Sequence, residues 1–221
     1  MSGGNGGLEL RGVVKSFGER RLIDTGAHTF SAGELYLITG DNGAGKTTLL
    51  KVLAGLQTAD KLDFRFNGVS YTHAHYPNAL RREIVYVHQH PYLFSTSVAA
   101  NIGYGLKLRK IPLQQRETAI AEAIRWAGLG DVASVAPKRL SGGEKQRVAL
   151  ARSLVLNAPV MLIDEPTANL DAKAREQVRI LLESLRAAGR IVIIATHDPA
   201  LMALPAASAW QLLDGKLIQQ T

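Results

Sequence analysis

The stretch that decides the fold is Gly40-Asp41-Asn42-Gly43-Ala44-Gly45-Lys46-Thr47. It fits the pattern G-x-x-x-x-G-K-[ST], in which glycines let backbone N–H groups wrap a phosphate group and the lysine neutralises its charge. A compact apolar strand is predicted before it, over residues 34–39, and a helix after it, over residues 46–56. A strand, a glycine loop and a helix in this order are the context that a phosphate-binding loop requires.

Around this unit, apolar runs and helical periodicity predict further strands and helices. Strands are predicted over residues 8–14, 22–30, 62–66, 84–87, 160–163 and 191–195, with a hairpin over residues 209–218. Helices are predicted over residues 98–108, 113–127 and 142–156, and from a cap at Asp171 to residue 188. The pattern indicates an α/β fold with a mostly parallel sheet, an antiparallel N-terminal part and an inserted helical subdomain.

The same pattern divides the chain into a disordered tail at residues 1–7, an α/β core at residues 8–88 and 158–221, and a helical subdomain at residues 89–157. The glycine-rich start has neither a basic segment nor an apolar stretch, so no secretory signal is predicted. We therefore expect the protein to stay in the cytoplasm.

The composition is that of a globular protein: 221 residues, 46% hydrophobic and 20% charged, with a formal net charge of +7. The apolar runs fall well short of the roughly 18 residues that a membrane span needs. The absence of cysteine excludes disulfides, thiolate zinc sites and cysteine nucleophiles. The basic charge favours solubility, and attraction to an anionic membrane surface is about as plausible as a nucleic-acid role.

Two acidic residues follow the predicted strand at residues 160–163. Asp164 is expected beside the phosphate loop, where the carboxylate can hold a hard cation such as Mg²⁺, and Thr47 is the second expected ligand. Glu165 is expected to point differently, so that it can orient the water that attacks the γ-phosphate or accept a proton from it.

Three further residues are candidates for the same site. His197 follows the last central strand and is expected at the same edge of the sheet, where its imidazole could hydrogen-bond the γ-phosphate. Gln89 ends the strand before the helical insertion and can reach Mg²⁺ or the attacking water, which makes it a candidate hinge. Phe17 could stack on an adenine ring, although an aromatic residue in that place is more often part of the core.

The pentapeptide Leu140-Ser141-Gly142-Gly143-Glu144 is the most informative feature beyond the phosphate loop. Two glycines behind a serine, at the predicted start of a helix, present exposed backbone N–H groups and a hydroxyl that suit another phosphate oxygen. One nucleotide cannot easily use both surfaces.

Together these residues resemble the nucleotide-binding subunit of ATP-binding cassette transporters, over nearly the whole chain from Leu8 to Ile218. The family's Walker A loop, Q-loop, signature, Walker B with its catalytic glutamate, D-loop and switch histidine all appear in family order. They lie here at residues 40–48, Gln89, residues 140–144, Asp164 with Glu165, residues 169–171 and His197.

The resemblance implies a P-loop ATPase that binds ATP and Mg²⁺ and forms a head-to-tail dimer, with each ATP between the phosphate loop of one copy and the signature of the other. The nucleotide-binding residues that it implies are Phe17, Gly40, Asp41, Asn42, Gly43, Ala44, Gly45, Lys46, Thr47, Thr48, Ser141, Gly142, Gly143, Glu144 and Asp171. The implied catalytic residues are Glu165, His197, Lys46 and Gln89. The implied metal ligands are Thr47, Gln89 and Asp164.

Two residues of these motifs depart from the family's usual pattern. Glu144 stands where glutamine is usual, and its charge near a phosphate is unfavourable unless Lys145 or Arg147 compensates it. Arg147 is also expected to brace the signature helix. Phe17 replaces the more usual tyrosine, which keeps the stacking surface and loses a hydroxyl.

The resemblance also implies partners: a separate transmembrane permease and a periplasmic or extracellular solute-binding protein, with this subunit on the cytoplasmic face of the inner membrane. The segments at residues 90–106, 141–147 and 166–171 look most like subunits of bacterial oxyanion importers, the tungstate type especially. No nucleic acid is expected as a partner. Because the solute binds to the other subunits, no residue of this chain is expected to contact it.

Two other functions stay open. A soluble cassette ATPase of ribosome rescue, DNA maintenance or iron–sulfur assembly would share these motifs, although the tandem cassettes or coiled-coil insertion usual in such proteins are absent from this sequence. The ATPase subunit of a lipid or metal exporter has a similar size, and the sequence does not exclude it.

Overall fold

The computed structural model describes residues 7–72 and 76–220, and its first sheet is antiparallel. This sheet consists of β1 (Gly7–Phe17), β2 (Arg20–Thr25), β3 (His28–Ser31), β5 (Lys61–Phe66) and β6 (Val69–Thr72). The strand order is β2-β1-β5-β6, and β3 also pairs with β1. All of these pairs are antiparallel, which confirms the predicted antiparallel N-terminal part.

The second sheet is mostly parallel, as predicted. It consists of β4 (Leu35–Thr39), β7 (Ile84–Val87), β8 (Val160–Asp164), β9 (Ile191–Ala195), β10 (Ala207–Leu213) and β11 (Lys216–Gln219). The order is β11-β10-β4-β9-β8-β7, and only the terminal hairpin of β10 and β11 is antiparallel among the described pairs. Because β4, β8 and β9 are parallel neighbours, the loops that follow them meet at one edge of the sheet.

Helices lie on both faces of this sheet and in the insertion. The α-helices of the described residues are α1 (Lys46–Leu53), α2 (Val98–Leu108), α3 (Leu113–Trp126), α4 (Gly142–Leu154), α5 (Ala172–Ala187) and α6 (Pro199–Met202). Short 3₁₀ turns cover Leu80–Arg82, Gly130–Val132 and Pro137–Arg139. Residues 89–157, all of which are described, contain no strand, as predicted. Within residues 7–72 and 76–220, no helix combines the length and the hydrophobicity that crossing a membrane requires.

The parallel sheet separates two hydrophobic cores. Successive residues of a strand point to opposite faces. In β9, Ile193 packs in the core that contains α1 and the antiparallel sheet, whereas Val192 and Ile194 pack in the core that contains α4 and α5. Burial on both faces explains why the sequence of this strand is continuously apolar. It also fixes the position of the strand ends that carry the polar residues.

The predicted strand at residues 22–30 is wrong as a single element, since β2 and β3 are separate. Both pair with the same strand, β1. At the end of β2, the backbone N–H of Val13 in β1 donates to the side-chain hydroxyl of Thr25 at 3.0 Å. A side chain therefore takes the place of a backbone acceptor at this point, and Gly26 and Ala27 belong to no strand before the chain pairs again at β3.

Several predicted boundaries also need correction: β1 runs to Phe17 instead of residue 14, and α4 ends at Leu154 instead of residue 156. The helix after the phosphate loop ends at Leu53 instead of residue 56, because Gly55 adopts a left-handed conformation with φ of +65°. Gly7, predicted as the last residue of a disordered tail, instead begins β1. Residues 1–6 lie outside the described residues.

The segment after β7 is fastened by a buried asparagine of α2. Asn101 is fully buried; its Oδ1 accepts from the N–H of Phe94 at 2.8 Å, and its Nδ2 donates to the carbonyls of Phe94 and Ser97, both at 3.0 Å. From the last turn of α4, Arg152 donates to the same Oδ1 at 2.6 Å and to the carbonyl of Tyr92 at 2.9 Å. The segment that follows Gln89 is thus joined to both α2 and α4.

We expect Asn101→Ala to lower the free energy of unfolding by about 3 kcal/mol, because it leaves several buried polar groups without a partner. Urea denaturation followed by circular dichroism measures this change. Asn78→Ala, at an exposed asparagine, is the matched control and should change the stability by less than about 0.5 kcal/mol. Equal stabilities of the two variants would contradict the importance of the buried network.

Candidate functional site

The phosphate loop joins the carboxyl end of β4 to α1. Gly40 has φ of +136°, and a Cβ added there would lie 2.5 Å from the carbonyl oxygen of Leu212, so only glycine fits. Lys46 is only 7% exposed, and its Nζ donates to the carbonyls of Gly40 at 2.6 Å and Asp41 at 3.1 Å. In the part of the chain that is described, no carboxylate pairs with this ammonium group. A buried cation held by neutral carbonyls suits an anionic ligand.

Asp164 ends β8 beside the loop, as predicted, and is 3% exposed. The Oγ1 of Thr47 lies 2.8 Å and 3.0 Å from its two carboxylate oxygens. The hydroxyl of Tyr86, in β7, donates to Oδ2 at 2.8 Å. Burial, together with the charge of Asp164, raises the pKa of Tyr86 above its ordinary value. A carboxylate and a hydroxyl are hard oxygen donors of the kind that Mg²⁺ takes, so these residues fit that ion.

Glu165 faces a different partner from Asp164, as predicted. Its φ of +42° places it in the left-handed region, which is uncommon for a residue with a side chain. The backbone N–H of Glu165 donates to the carbonyl of Ala195 at 2.9 Å, which fastens this turn to β9. Its carboxylate is largely buried and lies 2.8 Å from Nδ1 of His197, whose ring is mostly exposed. The left-handed turn therefore aims the acid towards His197.

One cavity of about 420 Å³ lies where these loops meet. Its lining comes from the phosphate loop and from the ends of β7, β8 and β9, together with one residue of β2. The lining residues are Leu22, Asn42, Gly43, Gly45, Lys46, Thr47, Thr48, Gln89, Glu165 and His197. Asp41 and Ala44 line a neighbouring cavity that shares Leu22, Asn42 and Gly43. The structure thus brings most of the predicted phosphate, metal and catalytic residues to one place.

The signature pentapeptide lies elsewhere, because none of its residues lines this cavity. Ser141 caps α4: its Oγ accepts from the N–H of Glu144 at 3.2 Å, and the carboxylate of Glu144 accepts from the N–H of Ser141 at 2.8 Å. This reciprocal capping box stabilises the charge of Glu144 at the positive end of the helix. Within the described residues no ion pair joins Glu144 to Lys145 or Arg147. The direct contact to the Glu144 carboxylate comes from the backbone N–H of Ser141, and Arg147 interacts with it only at longer range.

Arg147 braces the signature helix, as expected. Its guanidinium donates to the carbonyls of Ala127 and Gly128, both at 2.8 Å. These two carbonyls belong to the residues directly after α3, so the contact joins the first turns of α4 to the chain that leaves α3. Burial lowers the pKa of Arg147 from its ordinary value, and the nearby Glu144 acts in the opposite direction.

The two glycines of the signature differ in their surroundings. Gly142 is exposed, whereas Gly143 is buried. A Cβ added at Gly143 would lie 2.6 Å from the Cβ of Ala174 in α5. The prediction of exposed backbone N–H groups therefore suits Gly142 but not Gly143, which is buried and where glycine permits the close approach of two helices.

Phe17 and Asp171 also lie outside the lining of the cavity. Phe17 is 52% exposed, so it is not part of the core, and the Nζ of Lys15 lies 4.8 Å from the centre of its ring. Asp171 caps α5, and its carboxylate accepts from the N–H of Ala174 at 2.8 Å. In the single chain, Phe17 therefore lies on the surface and Asp171 serves as a helix cap.

Sequence reasoning missed two residues of the site, Tyr86 and Leu22. Tyr86 carries the one hydroxyl of the strand Ile84–Val87, and a hydroxyl on a buried strand needs a hydrogen-bond partner, which was the available signal. Leu22 reaches the cavity from β2, and its apolar side chain carried no comparable signal.

Comparison with known proteins agrees with this geometry. Residues 24–168 match the family described as ABC transporter. The spermidine/putrescine import ATP-binding protein of Pasteurella multocida is 36% identical over 193 residues, which cover 86% of this chain and 51% of that protein. The sulfate/thiosulfate import ATP-binding protein of Methylococcus capsulatus is 37% identical over 197 residues, which cover 86% of this chain and 56% of that protein. The chain spans about half the length of the relatives it matches.

Two solved structures extend the likeness to nearly the whole chain. The ATP-binding cassette MJ0796, a dimer in a post-hydrolysis state with ADP and Pi, matches with a TM-score of 0.84 and 27% identity, covering 97% of this chain and 98% of that one. CbiO1 from Clostridium perfringens, part of the ABC transporter complex cbiONQ, matches with a TM-score of 0.86 and 26% identity, covering 97% and 88%. These likenesses confirm the predicted cassette fold. With its motifs in family order and more than half of its length matched by the family, the chain belongs to the ABC transporters.

Proposed function

We propose that this chain is the ATP-binding and ATP-hydrolysing subunit of an ABC importer. The observation that carries the proposal is the convergence of Lys46, Thr47, Glu165 and His197 on one cavity, with Asp164 behind Thr47. The relatives named above are import ATP-binding proteins, which supports both the ATPase activity and the direction of transport.

The phosphate loop binds the β- and γ-phosphates of ATP through its backbone N–H groups, the N-terminus of α1 and Lys46. Lys46 is already bent over the loop, so it needs little rearrangement to meet a phosphate oxygen. Thr47, Asp164 and Gln89 would hold Mg²⁺, and the ion would neutralise part of the phosphate charge. Phe17 offers its exposed ring for stacking on the adenine base.

Glu165 orients the attacking water and accepts its proton, since its carboxylate lies in the same cavity as the phosphate loop. His197 holds this carboxylate through Nδ1. When Nδ1 carries the proton of a neutral ring, Nε2 has none to donate. We therefore place the contact of His197 with the γ-phosphate in a state in which the ring has released Glu165 or has gained a second proton.

The signature completes the site of a second copy of the chain. Because the Ser141 oxygen accepts from the helix, its own proton is free to be donated outward, and Gly142 is exposed beside it. The N–H of Ser141 is taken by Glu144, so the phosphate contacts in trans come from the Ser141 hydroxyl and the helix start at Gly142. The cassette solved as a dimer with ADP and Pi supports a dimer of this chain. In the pairing that we propose, Asp171 lies near the shared site.

Closure of the dimer drives a transmembrane permease, with this subunit on the cytoplasmic face of the inner membrane and a solute-binding protein outside. Residues 89–157 form a helical subdomain that moves in response to the bound nucleotide, and Gln89 is the hinge of this movement. We further propose that the solute is an oxyanion. The relative named for sulfate and thiosulfate supports an oxyanion, and the relative named for polyamines defines the competing outcome.

We expect Glu165→Gln to keep ATP binding and to abolish most hydrolysis, because the amide cannot accept the proton of the water. Removal of a general base of this kind costs about 10²–10⁴-fold in rate. Phosphate release measures hydrolysis, and size-exclusion chromatography with ATP should show an accumulated dimer. Glu144→Gln is the matched control and should keep substantial hydrolysis. Hydrolysis by Glu165→Gln at the unsubstituted rate would remove Glu165 from catalysis.

A mixture of two inactive variants tests the shared site. Lys46→Ala removes the phosphate cation and Ser141→Ala removes the hydroxyl given in trans. In a heterodimer of the two, one composite site carries both changes and the other carries neither. We expect the mixture to recover up to about one quarter of the unsubstituted activity per protomer, if the chains pair at random and each intact site works alone. Each variant alone, at the same total concentration, is the control. If the mixture is no more active than the two variants alone, the sites are not shared between copies.

Purification from membranes with this chain as the affinity handle tests the proposed transport role. We expect a polytopic permease to copurify, and ATPase activity of the reconstituted complex to rise with its solute-binding protein and one class of solute. The panel contains tungstate, molybdate, sulfate, spermidine and putrescine. Stimulation by polyamines alone would overturn the oxyanion assignment. A fully soluble protein with no membrane partner would overturn the importer assignment itself.

A further inference from the structure

We propose that Tyr86 is a positioning residue of the Mg²⁺ site: its hydroxyl fixes the carboxylate of Asp164, and the fixed carboxylate turns the lone pairs of Thr47 towards the cavity. The inference rests on the proposed function, in which Thr47 and Asp164 hold the ion. Tyr86 does not itself line the cavity and would not touch the nucleotide.

The sheet places the Tyr86 hydroxyl at this carboxylate. In the parallel pair of β7 and β8, Tyr86 is in register with Leu162, and Asp164 lies two residues further along β8. Residues two apart in a strand share a face, so Tyr86, Leu162 and Asp164 point to the same side. The phenol ring extends along this face towards the carboxyl edge, where its hydroxyl reaches Oδ2 at 2.8 Å.

Packing contacts hold the Tyr86 ring independently of its hydroxyl. It packs against the hydrophobic core that contains Leu162 and α1. The ring of His88 also meets it edge-on, with 4.6 Å between the centroids and 82° between the planes. A ring held in this way presents its hydroxyl in a fixed position, so the carboxylate that accepts from it is fixed as well.

The directions of the hydrogen bonds among Tyr86, Thr47 and Asp164 determine which oxygen lone pairs are left to bind a metal ion. An ionised carboxylate only accepts hydrogen bonds, so both Tyr86 and Thr47 must donate to Asp164. Thr47 has a single hydroxyl proton, and while that proton points to Asp164 the oxygen lone pairs are available on the other side. Thr47 lines the cavity, so those lone pairs lie where a cation beside the phosphate loop would be.

Burial makes the Tyr86 hydroxyl hard to replace. Asp164 is 3% exposed, which leaves little access for a water molecule that could substitute for the lost donor. Without Tyr86, Oδ2 keeps only the Thr47 contact and the carboxylate can rotate about its bond to Cβ. Groups that orient a metal ligand in this indirect way typically matter about 10–100-fold in metal affinity.

Tyr86→Phe removes the hydroxyl and keeps the ring, so it tests the proposal directly. We expect about 10-fold weaker binding of Mn²⁺, used as the paramagnetic probe of the Mg²⁺ site, in the presence of a non-hydrolysable ATP analogue. The electron paramagnetic resonance signal of free Mn²⁺ measures this affinity without any turnover. Binding of the same analogue in EDTA should stay within about twofold, because the phosphate loop is unchanged.

Tyr76→Phe is the matched control. It removes another partly buried tyrosine hydroxyl, which donates to the carbonyl of Leu53 at 2.7 Å, outside the metal site. We expect this variant to keep the Mn²⁺ affinity, while thermal unfolding without metal reports the stability of both variants. Unchanged Mn²⁺ affinity in Tyr86→Phe, with or without a loss of stability, would overturn the proposal and leave the hydroxyl a structural role.

Asp164→Asn distinguishes a failure of this proposal from a failure of the assumption that Asp164 holds the metal ion. We expect it to weaken Mn²⁺ binding at least as much as Tyr86→Phe does. If Asp164→Asn weakens Mn²⁺ binding and Tyr86→Phe does not, the metal site stands and the positioning role of Tyr86 falls. If neither substitution changes Mn²⁺ affinity, the assignment of the metal to Asp164 is wrong, and the role of Tyr86 falls with it.

Discussion

The hydrogen bonds between Thr47 and Asp164 join the first turn of α1 to the end of β8, and the organisation of the site depends on them. A carboxylate that is 3% exposed is costly to bury unless donors meet its oxygens. Those donors come from a helix and from a neighbouring strand, so the phosphate loop and the sheet edge hold a single relative position. These contacts therefore help to set the shape of the cavity between them.

The signature illustrates a different balance between folding and function. The capping box of Ser141 and Glu144 satisfies the start of α4 within one chain, so this surface forms without a partner. Arg147 ties the same helix to the end of α3, and Arg152 ties it to the segment after Gln89. The helix is thus connected at both ends to parts of the insertion. Through this one helix, the exposed start of α4 at Ser141 is joined to the segment that follows Gln89.

Much of this fold follows from the sequence, because the central strands are buried on both faces. A short, continuously apolar run such as Ile191–Ala195 is typical of a central strand in a parallel sheet. The phosphate loop and the acids after β8 were likewise predictable, since parallel strands bring their ends to one edge. The break between β2 and β3, the burial of Gly143 and the contact of Tyr86 with Asp164 were not. Each depends on a residue distant in the chain, which no local pattern encodes.

The approach of α4 to α5 has a consequence for how this sequence can vary. Position 143 has no room for a methyl group because the methyl group of Ala174 already occupies that space. Enlarging one position therefore requires a reduction at the other, and the only smaller residue for position 174 is glycine, which weakens a helix by about 1 kcal/mol. A larger residue at position 143 is therefore tolerated only together with a smaller residue at position 174. A dipeptide that reads as a nucleotide motif is thus also one half of a steric pair, and the other half lies in a different helix.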